Sequence, residues 1–171
     1  MKTLIISSSV SETSRSFILC KKIQELLEKQ GVDTTFVDAR ELELLPYHKG
    51  MSPSMQELSK QAEEADSIIF GMGVHCYSVN DGLKIILDNC CNKVEGKFFG
   101  IACAAGGEKS YLSTMHLTQI CMNEWRMIQL PRIVYATGKD FTDDKVSNPD
   151  IKERIKLFTT EFAEIGKKLI S

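Results

Sequence analysis

The 171-residue sequence has no long apolar run and no excess of charge of one sign. No stretch approaches the roughly 20 apolar residues that a membrane-spanning helix requires. The short apolar run near the N-terminus ends at Ile6, which is too short for the core of a signal peptide. The formal net charge is -2, and the Lys and Arg residues are scattered rather than clustered. We therefore expect a cytoplasmic protein that binds neither a membrane nor nucleic acid.

The six cysteines lack the spacing of the common cysteine motifs. They are Cys20, Cys76, Cys90, Cys91, Cys103 and Cys121. No two of them form a C-x-x-C pair, so neither a zinc ribbon nor a thioredoxin-type redox motif is indicated. We expect no metal site and, in the cytoplasm, reduced thiols.

Strand and helix patterns alternate along the whole chain, and its length indicates one domain over residues 1–171. The predicted strands cover residues 3–7, 33–38, 67–71, 98–104 and 133–136. The predicted helices cover residues 15–30, 54–65, 82–91, 110–124 and 150–170. This alternation predicts an α/β fold, a flavodoxin-like three-layer sandwich. Its five-stranded parallel sheet has the order 2-1-3-4-5, with helices on both faces.

Ligands of such sheets bind beyond the carboxyl ends of the strands, here in the loops after strands 1, 3 and 4. The first of these, the serine loop, spans residues 7–16 and reads SSSVSETSRS. A helix N-terminus offers unpaired N–H groups and a positive dipole end, and hydroxyls can donate to phosphate oxygens. The serine loop therefore suits a phosphate, although an ordinary loop with a serine N-cap has the same composition.

The other two loops suit a flat ligand. The ring loop, residues 71–82, contains glycines together with the rings of His75 and Tyr77. The glycine loop, residues 104–110, contains Gly106 and Gly107, which would let the backbone approach a ligand closely, although they also suit a plain turn. Together the three loops fit an aromatic ligand with a phosphate tail, for which flavin mononucleotide (FMN) is the natural candidate.

With these loops the sequence resembles the NAD(P)H-dependent FMN reductases over nearly its whole length. That family typically has a first loop of the pattern Gly-Ser-x-Arg-x-x-Ser-x-Asn. Ser9 and Ser14 match the two serines at the same spacing. Ser8, Ser11 and Ser16 stand where the pattern has glycine, arginine and asparagine.

Two further family patterns are matched in part. The pattern Pro-x-Tyr-x-x-Ser-x-Pro-x-x-Leu-Lys-x-x-x-Asp is matched at Ser78, Leu83, Lys84 and Asp88. Gly73, His75 and Asn80 replace the first proline, the aromatic residue and the second proline. A small residue followed by two glycines is matched at Ala105-Gly106-Gly107.

The resemblance implies an FMN cofactor with NADPH or NADH as cosubstrate, and it implies the residues that bind the flavin. The phosphate would be held by the serine loop, chiefly through Ser9, Ser14 and Ser16 and with Ser11 nearby. Arg15 would either contact this phosphate or be a solvated helix residue. The residues expected along the flavin ring are Val74, His75, Cys76 and Tyr77, and Ser78 is also expected to bind the cofactor. His75 would otherwise be a solvated loop residue, and Tyr77 a loop residue packed on a neighbour. Backbone groups of Ala105, Gly106 and Gly107 would meet its pyrimidine edge.

The resemblance also implies an activity. Hydride would pass from the nicotinamide to flavin N5 and on to a small acceptor such as free flavin or a quinone, so no side chain is predicted to be catalytic. A homodimer or homotetramer is expected through the helix that carries Lys84 and Asp88. The alternatives are a flavodoxin-type electron carrier and a binding module that has lost its flavin. An iron-sulfur flavoprotein would have a cysteine cluster after strand two, and residues 39–66 contain no cysteine.

Overall fold

A mainly parallel sheet lies between two layers of helices in the computed structural model, which describes residues 1–170. The strands are β1 (Lys2–Ser7), β2 (Asp33–Asp38), β3 (Ser67–His75), β4 (Ser78–Val79), β5 (Phe98–Ala105), β6 (Ile128–Gln129), β7 (Val134–Thr137), β8 (Phe141–Thr142) and β9 (Lys145–Val146). The α-helices are α1 (Arg15–Lys29), α2 (Pro53–Glu64), α3 (Asp81–Cys90), α4 (Thr114–Glu124) and α5 (Pro149–Leu169). Short 3-10 helices cover Ala39–Glu41, Glu108–Ser113 and Gly138–Asp140. Within residues 1–170, no helix has both the length and the apolar character needed to cross a membrane.

The strand order confirms the predicted flavodoxin-like fold. The parallel strands follow the order β2-β1-β3-β5, and both β6 and β7 pair with β5. Within residues 1–170 this sheet has seven strands instead of the predicted five. β7 corresponds to the predicted fifth strand, and β6 is a further short strand along the same edge. Pro131 lies between them, and because proline has no N–H it cannot donate to the sheet there.

Alternating side chains of the strands form one apolar core on each face of the sheet. Leu4 and Ile6 of β1 face the core covered by α2, α3 and α4. Ile5 faces the opposite core, which is covered by α1 and α5. Because successive side chains of a strand point to opposite faces, strands that are apolar throughout fit this three-layer arrangement.

Two hairpins were absent from the sequence prediction. The third strand was expected to end at Gly71, but β3 continues to His75 and turns back into β4 through Cys76 and Tyr77. A second hairpin, β8–β9, occupies a segment for which no strand was predicted. The helix that was predicted over residues 110–124 begins later in the structure. A 3-10 helix occupies residues 108–113, and α4 begins at Thr114.

Candidate functional site

The register of the sheet brings the three predicted loops to one edge. Ser7 of β1 pairs with Gly71 of β3, and the N–H of Ser8 donates to the Gly71 carbonyl (3.0 Å). Farther along, Gly73 of β3 pairs with Ala104 of β5. The serine, ring and glycine loops therefore leave the sheet side by side.

The serine loop presents a run of free backbone donors. Ser14 is the N-cap of α1, and its Oγ accepts from the N–H of Phe17 (3.1 Å). Among the N–H groups of residues 9–14, only that of Ser11 has an acceptor within the described chain, the Oγ of Ser9 (3.3 Å). Free N–H groups at a helix N-terminus form an anion-binding site.

The side chains of the serine loop differ in exposure. Ser14 and Ser16 are buried, with their hydroxyl oxygens 3.1 Å apart. Ser9 is half-buried, and Ser11 is exposed. Arg15 is exposed as a residue, but its guanidinium lies against Gly138, where an added Cβ would come within 2.9 Å of Nη1. Arg15 thus extends from the serine loop to the segment after β7.

The ring loop contains a tight two-residue turn at Cys76 and Tyr77. His75 and Ser78 pair across it, and both Cys76 (φ 47°) and Tyr77 (φ 60°) have left-handed backbone conformations. This is the pattern of a type I′ turn, in which Asn and Gly are preferred and other side chains are strained. The Tyr77 hydroxyl donates to the carbonyl of Lys109 in the glycine loop (2.9 Å).

The structure separates the residues that were predicted along the flavin ring. Tyr77 lines the cavity between the ring and glycine loops. His75 is exposed, with Nδ1 3.5 Å from Oδ1 of Asp81. The Ser78 hydroxyl is turned towards α4, 2.9 Å from Nδ1 of His116. Val74 is half-buried, and Cys76 is exposed at the turn.

A cavity of about 700 Å³ opens between the ring loop, the glycine loop and the segment after β7. It is lined by Tyr77, Gly106, Gly107, Glu108, Lys109, Ser110, Thr137, Gly138 and Lys139. This volume lies within the range of about 300–1,000 Å³ that is usual for small-molecule and cofactor sites.

The two glycines of the cavity are not required by the fold. An added Cβ at Gly106 or Gly107 would have no neighbour within 4 Å. Gly107 has an extended backbone (φ −163°, ψ 172°) that any residue can adopt. The glycines therefore leave an open concave surface that side chains would otherwise fill.

The cavity is also lined by residues 108–110 after Gly107 and by residues 137–139 at the end of β7, which sequence reasoning missed. The Tyr135 hydroxyl donates to the Gly107 carbonyl (2.6 Å) and lies 3.0 Å from the hydroxyl of Ser110. Burial raises the pKa of Tyr135 despite the opposing hydrogen bond with Ser110, so the hydroxyl stays protonated and can donate. Lys139 forms an ion pair with Glu108 across the cavity. The position of Thr137 and Gly138 at the carboxyl end of β7 was the signal that could have identified this side of the cavity.

The cysteines do not form a metal site. No group of three His, Cys, Asp or Glu side chains in the described part of the chain could hold a metal ion. Five cysteines are buried, and burial raises the pKa of Cys103 and Cys121 to about 12. Such thiols stay protonated and unreactive at neutral pH.

Residues 1–142 match the model of the NADPH-dependent FMN reductase family, and the chain belongs to this family. The fold and the matched family define the class of protein, a flavodoxin-like oxidoreductase. Its cofactor is FMN.

Individual proteins and solved structures are similar to this chain, and the solved structures share its fold. An iron-sulfur flavoprotein of Methanocaldococcus jannaschii is 26% identical over 135 residues, which cover 68% of this chain and 70% of that protein. The flavoenzyme NAD(P)H:(acceptor) oxidoreductase FerB of Paracoccus denitrificans superposes with a TM-score of 0.78 at 15% identity, covering 98% of this chain and 97% of that one. An FMN-dependent NADH-azoreductase of Bacillus anthracis, solved with FMN, has a TM-score of 0.70 at 15% identity, with 95% and 100% coverage.

Proposed function

We propose that this oxidoreductase passes hydride from NADPH or NADH to FMN, and from FMN to a small acceptor such as free flavin or a quinone. The observation that carries the proposal is the open cavity at Gly106 and Gly107, which lies on the same sheet edge as the free N–H groups of the serine loop. The residues present thus fit a flat ring with a phosphate tail. Bound FMN supplies, at N5 of its ring, the atom that accepts and releases hydride.

The serine loop would hold the phosphate. Its free N–H groups and the N-terminal dipole of α1 favour an anion. The hydroxyls of Ser9 and Ser14 add donors without adding charge. The guanidinium of Arg15 has no carboxylate partner among the described residues, so it is free to balance the charge of a phosphate.

The ring and glycine loops would hold the flavin ring. Tyr77 forms one wall of the cavity, and the backbone of Gly106 and Gly107 forms another. Tyr135 and Ser110 fix the Gly107 carbonyl, which keeps this backbone in place. We assign no side chain as general acid, general base or nucleophile, because positioning the cofactor and the nicotinamide is sufficient for hydride transfer.

Titration with FMN and then with reduced nicotinamides tests the proposal. We expect the purified protein to quench FMN fluorescence with micromolar or tighter affinity. We also expect NADPH or NADH to bleach the bound flavin under anaerobic conditions, and a quinone or free flavin to restore its absorbance. Binding without bleaching by either nucleotide would instead support an electron carrier. No binding at micromolar concentrations would support a flavin-less binding module.

We further propose that a second copy of this chain covers the face formed by α3 and α4. A groove of about 940 Å³ on this face includes Lys84 and Asp88, which are paired at 2.6 Å. Met115 and Met122 of α4 lie outside the lining of this groove and are each about half exposed, so a second copy that packs on α4 would bury apolar surface there.

The oligomeric state tests this interface. We expect light scattering to give a dimer or tetramer, and the double variant Met115→Glu/Met122→Glu to give a monomer. Leu157→Glu is the matched control, because Leu157 is an exposed apolar residue on α5. A monomeric parent protein, or a double variant that keeps the oligomer, would contradict the proposal.

A further inference from the structure

Two positions at which the chain departs from the family pattern, Ser8 and Asn80, contact each other although they are 72 residues apart. The Asn80 side-chain amide donates to the Ser8 carbonyl (2.9 Å). Its Oδ1 accepts from the N–H of Gly73 (3.1 Å) and lies 2.9 Å from the Ser8 hydroxyl. The Ser8 hydroxyl also donates to the Gly71 carbonyl (2.6 Å). These bonds join the serine loop directly to the ring loop.

This junction is fully buried. Ser8 is 0% exposed and Asn80 is 1% exposed. Removing the amide would leave the N–H of the half-buried Gly73 without that acceptor, and an unpaired N–H that is partly cut off from water destabilises the fold. A glycine at position 8 would keep the carbonyl that accepts from Asn80 but would lose the hydroxyl, and a proline at position 80 would lose every bond of the Asn80 amide. The two departures from the family pattern are therefore linked through the contact between the Ser8 hydroxyl and Asn80 Oδ1.

The start of α3 provides independent support. Asn80 is the N-cap of α3, a position at which asparagine normally bonds the first turn of its own helix. Here its side chain makes no capping bond and is directed to Ser8 instead. Gly82 lets the helix pack against the same loop, since an added Cβ would come within 2.5 Å of the Ser8 carbonyl oxygen. The first turn of α3 is thus built around Ser8 at the expense of its own cap.

We propose that Asn80 and Ser8 are positioning residues that lock the serine loop to the ring loop, so that the phosphate and ring contacts of the flavin form one preorganised site. This inference rests on the proposed FMN site. A site whose loops are already ordered loses less conformational entropy on binding, and this raises its affinity for the ligand.

Flavin affinity of single and double variants tests the lock. We expect Asn80→Ala to raise the Kd for FMN about tenfold, while the KM for NAD(P)H of the FMN-saturated enzyme stays unchanged. Ser8→Ala, a milder change, should raise the Kd in the same direction. The double variant should lose less affinity than the product of the two single losses, because the residues act through one contact.

Asn89→Ala is the matched control. Asn89 is also a buried asparagine on α3, and its amide donates to the Ile85 carbonyl (2.8 Å), away from the three loops. This variant should lose stability and keep the FMN affinity of the parent protein. Two results would overturn the proposal. One is a folded Asn80→Ala variant with the Kd for FMN of the parent protein, and the other is a double variant whose rise in Kd equals the product of the two single rises.

Hydrogen exchange of the flavin-free protein tests the contact between the two loops independently of FMN binding. In Asn80→Ala the N–H groups of Gly73 and Ser8 should exchange at least about tenfold faster, and in Asn89→Ala they should not change. Should Asn80→Ala not fold, Ser8→Ala provides the same two measurements. Unchanged exchange in both Asn80→Ala and Ser8→Ala refutes the lock. Faster exchange in a protein that binds no FMN refutes the flavin site instead.

Discussion

At the scale of single residues, Gly82 and Gly107 differ in whether the fold requires them to be glycine. Gly82 is needed by the fold, because an added Cβ would collide with the Ser8 carbonyl. Gly107 has open space around it and an ordinary extended backbone, so the fold alone would accept a larger residue there. Gly107 lines a cavity, and the fold does not require a glycine there. The absence of a side chain at this position therefore indicates space for a ligand.

Gly107→Val therefore should separate folding from binding. We expect the flavin-free protein to keep its melting temperature within about 2 °C, since β-branched residues suit an extended backbone. The FMN affinity should fall at least about tenfold, because the new side chain occupies the cavity. Thermal denaturation and fluorescence titration measure the two effects.

Gly96→Ala is the opposite control. Its φ of 72° is left-handed, so alanine should cost about 1 kcal/mol of stability there without changing FMN affinity. Unchanged FMN affinity in Gly107→Val would show that the glycine loop does not face the ligand.

The two serines at the matched spacing should also behave differently. Ser9→Ala should weaken FMN binding about tenfold with little loss of stability, since within residues 1–170 the Ser9 hydroxyl bonds only to the N–H of Ser11. Ser14→Ala should weaken binding similarly and also cost about 1 kcal/mol, because it removes the N-cap of α1. Fluorescence titration and urea unfolding report the two effects. A double variant with the parent FMN affinity would refute the phosphate assignment.

At the scale of elements, the turn between β3 and β4 combines strain with position. Cys76 and Tyr77 both have left-handed conformations, which cost an ordinary residue roughly 1–2 kcal/mol each. Strain of this kind is concentrated at functional sites, and this turn carries Tyr77 to the cavity wall.

Cys76→Asn should relieve part of that strain. Asparagine tolerates the left-handed region and is favoured in type I′ turns, so we expect about 0.5–1 kcal/mol of added stability. Urea unfolding of the flavin-free protein measures it, with Cys76→Ala as the control that gains nothing. Equal stability of the Asn and Ala variants would show that the turn is not strained at Cys76.

The segment between β7 and α5 is organised by the buried carboxylate of Asp140. It accepts from the N–H and hydroxyl of Thr137 (2.7 and 2.9 Å) and from the amide of Asn148 (2.6 Å). Burial alone would raise the pKa of Asp140, but these hydrogen bonds outweigh it and lower the pKa below its usual 3.8. The negative charge therefore stabilises the fold wherever the carboxyl is ionised.

Asp140→Asn should then destabilise the protein in a pH-dependent way. A lowered folded pKa contributes stability above the unfolded pKa of about 4 and loses it as pH falls through the folded value. We expect a loss of about 1–3 kcal/mol at pH 7, because an amide cannot accept all three bonds. Below about pH 4, the free energies of unfolding of the variant and the parent protein, measured by urea unfolding, should become more similar. A gap that is constant with pH would show that Asp140 is not ionised in the folded protein.

The fold was predictable because long periodic segments define it. The predicted bounds of β2 agree with the structure, and those of all five α-helices except α4 agree within one residue. The end of β3 was missed because Gly71 and Gly73 suggest a loop, whereas Gly71 is a close-packing position where a Cβ would meet the sulfur of Cys20. The β8–β9 hairpin was missed because its turn residues, Asp143 and Asp144, are left-handed without glycine.

The site was predictable only as far as topology fixes it. The carboxyl edge of the sheet and the three loops followed from strand order. Which side chains face one another did not, because contacts such as that of Tyr135 with Gly107 depend on how loops distant in sequence pack. Asn80 shows the same limit, since the sequence shows it only as a replacement for the second proline of the family pattern, whereas the structure directs its side chain to Ser8.

At the scale of the whole molecule, the site joins parts of the chain that are far apart in sequence. The serine loop follows β1, while the cavity is built after β3, β5 and β7. A ligand that reaches from the serine loop to the cavity therefore contacts segments that must separate when the protein unfolds. Its binding should stabilise the entire fold rather than one loop.

FMN and riboflavin should consequently differ in their effect on thermal stability. A ligand present at about 100 times its Kd adds about 2.7 kcal/mol, which corresponds to a rise of about 5–11 °C in Tm for a chain of this length. Riboflavin at the same concentration should raise Tm by no more than about 2 °C, because it lacks the phosphate that the serine loop would bind. Differential scanning fluorimetry at a wavelength clear of flavin emission measures both shifts. Equal shifts would place the flavin's stabilising contacts entirely in the cavity and refute a phosphate-binding serine loop.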